Sequence, residues 1–259
     1  SWSLLDNTGS TVLSGGAPYS GNYIGTGCVY GCTEPFADNY DALANIDNGS
    51  CSYANCVSVD TSESFESFSA SFPAYDGDLN LWLQATDDDV NWQVGTLNTP
   101  SFNTGPDAAY DGANYIFIET SVTGPGSTAS IYIPCLDLSA WNNPSIVFAY
   151  HMWGFTMGTL ELEVSSDGGA TWDSLWAKTG QQGSSPQWFL EGIDLSNYSG
   201  TVAIRFLGTA GSSYTSDMAL DAISIEELPV FACMDPNASN YDPTATTDDG
   251  SCTYATTFN

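Results

Sequence analysis

Between Ser145 and Trp172 the spacing of apolar residues changes. A nearly continuous run, Ile146 to Trp153, stops at Gly154. Leu160, Leu162 and Val164 then alternate with Glu161 and Glu163 until the chain breaks at Asp167-Gly168-Gly169. Run, break and alternation read as strand, turn, strand, which predicts a hairpin. Further strand candidates cover 79–85, 115–119, 129–133, 175–177, 188–193, 202–207 and 219–225, with shorter ones at 2–5 and 11–13. Helical periodicity is absent, so the region from about 57 to 228 predicts a single all-β domain, a β-sandwich or jelly roll. Residues 1–27 are too few to bury a core and read as the tail of a preceding β domain.

A repeat divides the rest. Gly31 to Tyr53 and Ala232 to Tyr254 are identical at 12 of 23 positions, and each copy holds two cysteines 19 positions apart. The simplest pairing closes each copy on itself, Cys32 with Cys51 and Cys233 with Cys252. A loop of that size contributes about 3 kcal/mol by chain entropy, which so short a motif needs. This gives repeats at 28–55 and 230–259 around a central domain at 56–229. The repeats share Asp41 and Asp47 with Asp242 and Asp248. Such oxygen-rich loops suit calcium, although the EF-hand spacing is absent; the other reading is that these side chains hold turns through backbone bonds.

Charge narrows the setting. Against 31 acidic residues stand two basic ones, Lys178 and Arg205, for a net charge of -29. A surface without cations has nothing with which to displace phosphate counterions, so nucleic acid is excluded as a partner, and anionic membranes repel it. Seven cysteines and a single histidine, His151, distant in sequence from all of them, indicate disulfides rather than zinc, hence an extracellular protein. No apolar run reaches 18 residues, so direct membrane insertion is not expected. No signal peptide precedes the opening strand, and the expectation is a segment cut from a longer polypeptide.

Two resemblances sharpen this. The repeat resembles a cysteine-bounded unit, GCTDPxAxNYDPxAxxDDGSC, of very large secreted surface proteins of marine Bacteroidetes, which implies a spacer role and type IX secretion. Phe65-Glu66, Trp82 to Trp92 with its Asp-Asp-x-Asn-Trp ending, Thr99 to Pro106, Tyr150 to Gly154 with Gly158 to Leu160, and Asp217 to Ser224 together resemble the MAM domain of meprins, neuropilins and receptor tyrosine phosphatases. That family implies a jelly roll of two antiparallel sheets, adhesion and homophilic contact. By the same resemblance a calcium ion joins the first strand to the last through Glu66, Asp89, Asp217 and Asp221. Animal members carry a cysteine before the first tryptophan that this chain lacks, so their pairings do not transfer. Cys56 with Cys135 is the expected pair, Cys28 with Cys56 its rival.

Catalysis finds little support. His151 has no nucleophile motif beside it, and its family counterpart implies a packed structural histidine. Glycoside hydrolysis needs paired carboxylates, but the acidic residues fall mainly in turns or on outward strand positions such as Glu161 and Glu163. The expectation is a non-catalytic adhesive or structural segment of a giant secreted cell-surface protein that builds an extended filament or appendage. Its partners would be other copies or modules of the same protein, surface glycans, or prey or host surface proteins. The alternative is a carbohydrate-binding accessory module of a secreted hydrolase, with tryptophans as the sugar platform.

Overall fold

The computed structural model describes residues 2–5, 11–15, 28–54, 56–69 and 77–254; the end of the expected N-terminal tail, 16–27, lies outside them. Strands β1 (Trp2–Leu5) and β2 (Thr11–Gly15) form an antiparallel pair. In the first repeat β3 (Tyr30–Gly31) lies parallel to β4 (Ile46–Asp47). The central domain follows with β5 (Thr61–Glu63), β6 (Leu83–Gln84), β7 (Gln93–Gly95), β8 (Tyr115–Phe117), β9 (Thr128–Asp137), β10 (Pro144–Met152), β11 (Thr159–Ser165), β12 (Asp173–Thr179), β13 (Phe189–Asp194), β14 (Thr201–Thr209) and β15 (Met218–Glu227). In the second repeat β16 (Phe231–Ala232) pairs parallel with β17 (Thr247–Asp248).

Two antiparallel sheets make the jelly-roll-like sandwich. One has the order β13-β10-β15-β8-β7, with β5 also beside β15; the other has β12-β11-β14-β9-β6. The predicted hairpin is corrected here, because β10 and β11 lie in opposite sheets and the segment between them crosses the sandwich. The alternation on β11 sends Leu160, Leu162 and Val164 into the core, where they meet Ile146, Phe148, Tyr150 and Met152 of β10. Phe206 packs against both Phe148 (4.8 Å between centroids) and Trp82 (5.4 Å).

The apolar run on β10 has its own cause, since both faces of that strand are covered. Its outward face borders a second small cluster of Tyr115, Phe117 and Ala219, over which Trp188 is laid. The Trp188 ring lies 5.9 Å from Tyr115 and 5.3 Å from His151, and its indole N–H donates to the Ala108 carbonyl at 2.9 Å.

Chain entry and exit lie at one end of the sandwich. Thr61 of β5 pairs with Ile225 near the end of β15, and the Cys56–Cys135 disulfide and the Val57 N–H bond to the Cys135 carbonyl fasten the entry to β9. The exit is held by the Leu228 N–H on the Asn143 carbonyl. Disulfides also join Cys32 to Cys51 and Cys233 to Cys252, while Cys28 is exposed and free.

Repeat 1 docks at this same end. Its Phe36 N–H donates to the Gly168 carbonyl at 3.0 Å, and its ring lies on Tyr132 and edge-on to Trp172. The turn beneath has to be glycine: Gly168 and Gly169 have φ of +62° and +90°, and a Cβ on Gly169 would stand 2.4 Å from the Phe36 ring.

Candidate functional site

The opposite end of the sandwich carries the most unusual surface. Four segments meet there, 97–106, 120–130, 152–159 and 206–216, and none contains Asp, Glu, Lys or Arg in a chain of net charge -29. Phe102 is 85% exposed and Phe155 94%, with Val122 and Tyr214 also exposed. The four segments themselves carry no charge, with exposed Asp89 at Thr128 and Asp107 at Asn98 on their borders, and large apolar side chains displayed together on such a surface are characteristic of contact sites.

Hydrogen bonds fix these loops to one another. Thr104 forms a bridge with Gly154, and both its hydroxyl and the Gly105 N–H donate to the Trp153 carbonyl, so the segments bearing Phe102 and Phe155 run side by side. The Thr156 hydroxyl donates to the Ser213 carbonyl at 3.1 Å, and the Thr120 hydroxyl oxygen lies 3.1 Å from the Tyr214 carbonyl. A hollow of about 260 Å³ lies between 120–125 and 210–214.

Two buried acids staple the loops from below. Glu119 is 2% exposed; its Oε1 accepts from the Ser101 hydroxyl at 2.8 Å and from the Ser121 N–H at 3.0 Å. Asp217 is 0% exposed; its Oδ1 accepts from the Thr120 N–H and hydroxyl, both at 2.9 Å, while its own N–H donates to the Thr104 hydroxyl. Burial, and then the neighbouring Glu119 charge, push the Asp217 carboxyl up to about 6, against the lowering effect of Thr120 and Thr99.

The other expected calcium ligands stand elsewhere. Glu66 and Asp221 flank one loop: Glu66 Oε1 accepts from the N–H groups of Ala113 and Asn114, and Asp221 Oδ2 from those of Tyr110 and Asp111. Asp221 also takes the Ala222 N–H where β15 bulges at a positive φ. Asp89 caps the start of β9 through the Thr128 N–H. In the repeats Asp41, Asp47, Asp242 and Asp248 each accept the N–H two residues ahead, the turn-holding geometry. Among the described residues the one group of three close donors is Glu34, Asp47 and Cys51, and Cys51 is spent in its disulfide.

His151 is fully buried under the Trp188 lid. Its Nε2 lies 2.8 Å from the Ser185 carbonyl, which can only accept, so the proton sits on Nε2. Burial holds its pKa below the usual histidine value. Of the tryptophans, Trp82 and Trp92 are in the core, and Trp172 borders a groove of about 360 Å³ with Phe36, Tyr132, Arg205, Ser130 and Asp87.

A family model described as MAM domain, meprin/A5/mu matches residues 71–229. The chain belongs to the MAM domain family. MAM domains are adhesion-type modules of extracellular or surface proteins. MAM domain-containing glycosylphosphatidylinositol anchor protein 1 of Rattus norvegicus is 34% identical over 167 residues, 60% of this chain and 17% of that protein. Zonadhesin of Homo sapiens is 29% identical over 148 residues, 56% of this chain and 5% of that protein. The chain thus spans a small part of the relatives it matches. Among solved structures, the K1 cleaved adhesin domain of Lys-gingipain from Porphyromonas gingivalis W83 aligns with a TM-score of 0.47 and 20% identity, over 66% of this chain and 99% of that one. A xylan-binding domain of Paenibacillus barcinonensis aligns with a TM-score of 0.40 and 16% identity, over 67% and 97%. Among the described residues no helix is long and apolar enough to cross a membrane.

Sequence reasoning missed Glu119 and the aromatic loop tips. Glu119 ends a strand candidate like any solvated strand-end acid, and nothing in its spacing reveals burial. The absence of charge from four separate segments was readable, but only the fold brings them to one end.

Proposed function

We propose that this MAM domain is a non-catalytic adhesive module of a large secreted bacterial surface protein, and that it makes contact through the charge-free end bearing Phe102 and Phe155. That surface is the observation that carries the reading. Its partners are other copies or modules of the same protein: two molecules of charge -29 repel each other over most approaches, and least at the end whose loops are uncharged and whose carboxylates, Asp89 and Asp107, stand only at the border. The repeats serve as spacers. Because entry, exit and repeat 1 share the opposite end, the sandwich projects sideways from an extended run of modules, as a lateral head on a filament. Disulfides close the repeats, and calcium supplies counter-charge to carboxylates that neither Lys178 nor Arg205 reaches, since these pair with Glu191 and Glu163.

The test is a bead assay. Beads coated with the chain should cluster, and the Phe102→Ser/Phe155→Ser variant, folded by circular dichroism, should leave them dispersed. Equal clustering by both would overturn the assignment of the surface.

A second reading is carbohydrate binding, favoured by the groove at the joint with repeat 1, where Trp172 and Tyr132 stand beside Arg205, Ser130 and Asp87. Arg205 already lies over the Trp172 ring at 4.2 Å, which leaves that face occupied. Binding on a neutral glycan array that disappears in Trp172→Ala would favour this reading over the first.

A further inference from the structure

The two acids under the charge-free end have an unmet requirement. Glu119 Oε2 and Asp217 Oδ2 are both buried and have no hydrogen-bond partner among the described residues, the hydroxyl of Thr99 beside Asp217 being given to the Thr104 carbonyl. Carboxylate oxygens withdrawn from water at this depth need a counter-charge, a donor or a proton. Neither basic side chain serves them, since Arg205 is paired with Glu163 and Lys178 with Glu191. The two carboxylates meet at one turn, where Glu119 Oε1 takes the Ser121 N–H and Asp217 Oδ1 that of the adjacent Thr120, and the Glu119 charge acts on Asp217. Their other oxygens are committed to Ser101, Ser121 and Thr120, so the free ones are the pair left over after the loops have been stapled.

We infer that Glu119 Oε2 and Asp217 Oδ2 bind a single calcium ion beneath the loop end. A hard divalent cation matches two carboxylates in charge and takes oxygen ligands, about six to eight for calcium, so the two acids supply the charge and water or neighbouring carbonyls complete the shell. Asp217 thereby separates from Glu66, Asp89 and Asp221, whose hydrogen bonds hold other parts of the sandwich, and acquires as its partner a residue outside that set. This places the proposed calcium of the adhesive reading at one site. The ion would couple loops 97–106, 119–127 and 210–217 through the residues already bonded to the two acids, so that the presentation of Phe102 and Phe155 depends on calcium.

The test is thermal unfolding of the full chain in calcium chloride and in chelator, for the wild type and for Glu119→Gln, Asp217→Asn and Glu66→Gln. At calcium 100-fold above Kd the wild-type midpoint should rise by about 5–10 °C. Glu119→Gln and Asp217→Asn should lose the rise and Glu66→Gln should keep it. A rise that survives in Glu119→Gln and Asp217→Asn but vanishes in Glu66→Gln overturns this site while leaving calcium in the account. No rise in the wild type, with Glu119→Gln more stable than wild type at neutral pH, means that the pair shares a proton and overturns the inference altogether. Terbium luminescence displaced by calcium in the wild type and lost in Glu119→Gln supports the site; the same luminescence in Glu119→Gln counts against it.

Discussion

The Phe36 ring of the first repeat lies flat on the Tyr132 ring of the sandwich, with centroids 4.5 Å apart and planes 7° from parallel. Repeat 2 has Asn237 at the matching position, although both copies keep their internal tyrosine–carboxylate bond, Tyr53 to Glu34 and Tyr254 to Asp235. One sequence motif therefore makes an aromatic-anchored joint in its first copy and lacks that anchor in its second.

Replacing Phe36 by Asn should release repeat 1 without unfolding it, because its disulfide is untouched. The loss is one partly buried aromatic pair, about 1–3 kcal/mol. Small-angle scattering should show a larger radius of gyration, and proteolysis near 54–58 should quicken. Unchanged values for both would mean that Phe36 does not hold the joint.

His151 is the only histidine, so its ring signals are unambiguous in a proton NMR titration. Buried and lowered, it should titrate below pH 6.5, as neutral imidazole held by the Ser185 carbonyl. Trp188→Ala, which removes the lid, should move the midpoint up toward 6.5. A wild-type midpoint at or above 6.5 would contradict the packed role and reopen a chemical one.

Asp88, Asp217 and Asp221 are all pushed up to about 6, in each case chiefly by burial. For an acid whose folded pKa is raised, stability is fully present below the unfolded value near 3.8 and is lost as pH rises through about 6. His151 acts with the opposite sign, losing stability as pH falls below 6.5, but it is one group against three. In chelator, urea midpoints should therefore be higher at pH 5 than at pH 7. A rise from pH 5 to pH 7 would show that these carboxyls are not held in the raised state.

How much was legible follows from the physics of each signal. Periodicity gave β11 and most long strands, because one covered face leaves an alternating record. It mispaired β10 with β11, because the run on β10 comes from Trp188 and Tyr115 covering its outer face, contacts that arise far away in sequence. The strands β5 and β7 are three residues long and leave too short a pattern to read. For the site, the motif around Asp217 was visible, but its partner Glu119 was not, since burial at a strand end depends on what the opposite loops bring.

If the end bearing Phe102 and Phe155 is a contact surface between copies, the chain self-associates through it once charge repulsion is screened. Sedimentation velocity in 0.5 M salt, where a Debye length near 4 Å screens the remaining charge, tests it most directly. The wild type should sediment as a concentration-dependent mixture containing dimer, and Phe102→Ser/Phe155→Ser as a monomer at every concentration. A wild type that stays monomeric under those conditions, or a double variant that associates equally well, would contradict it.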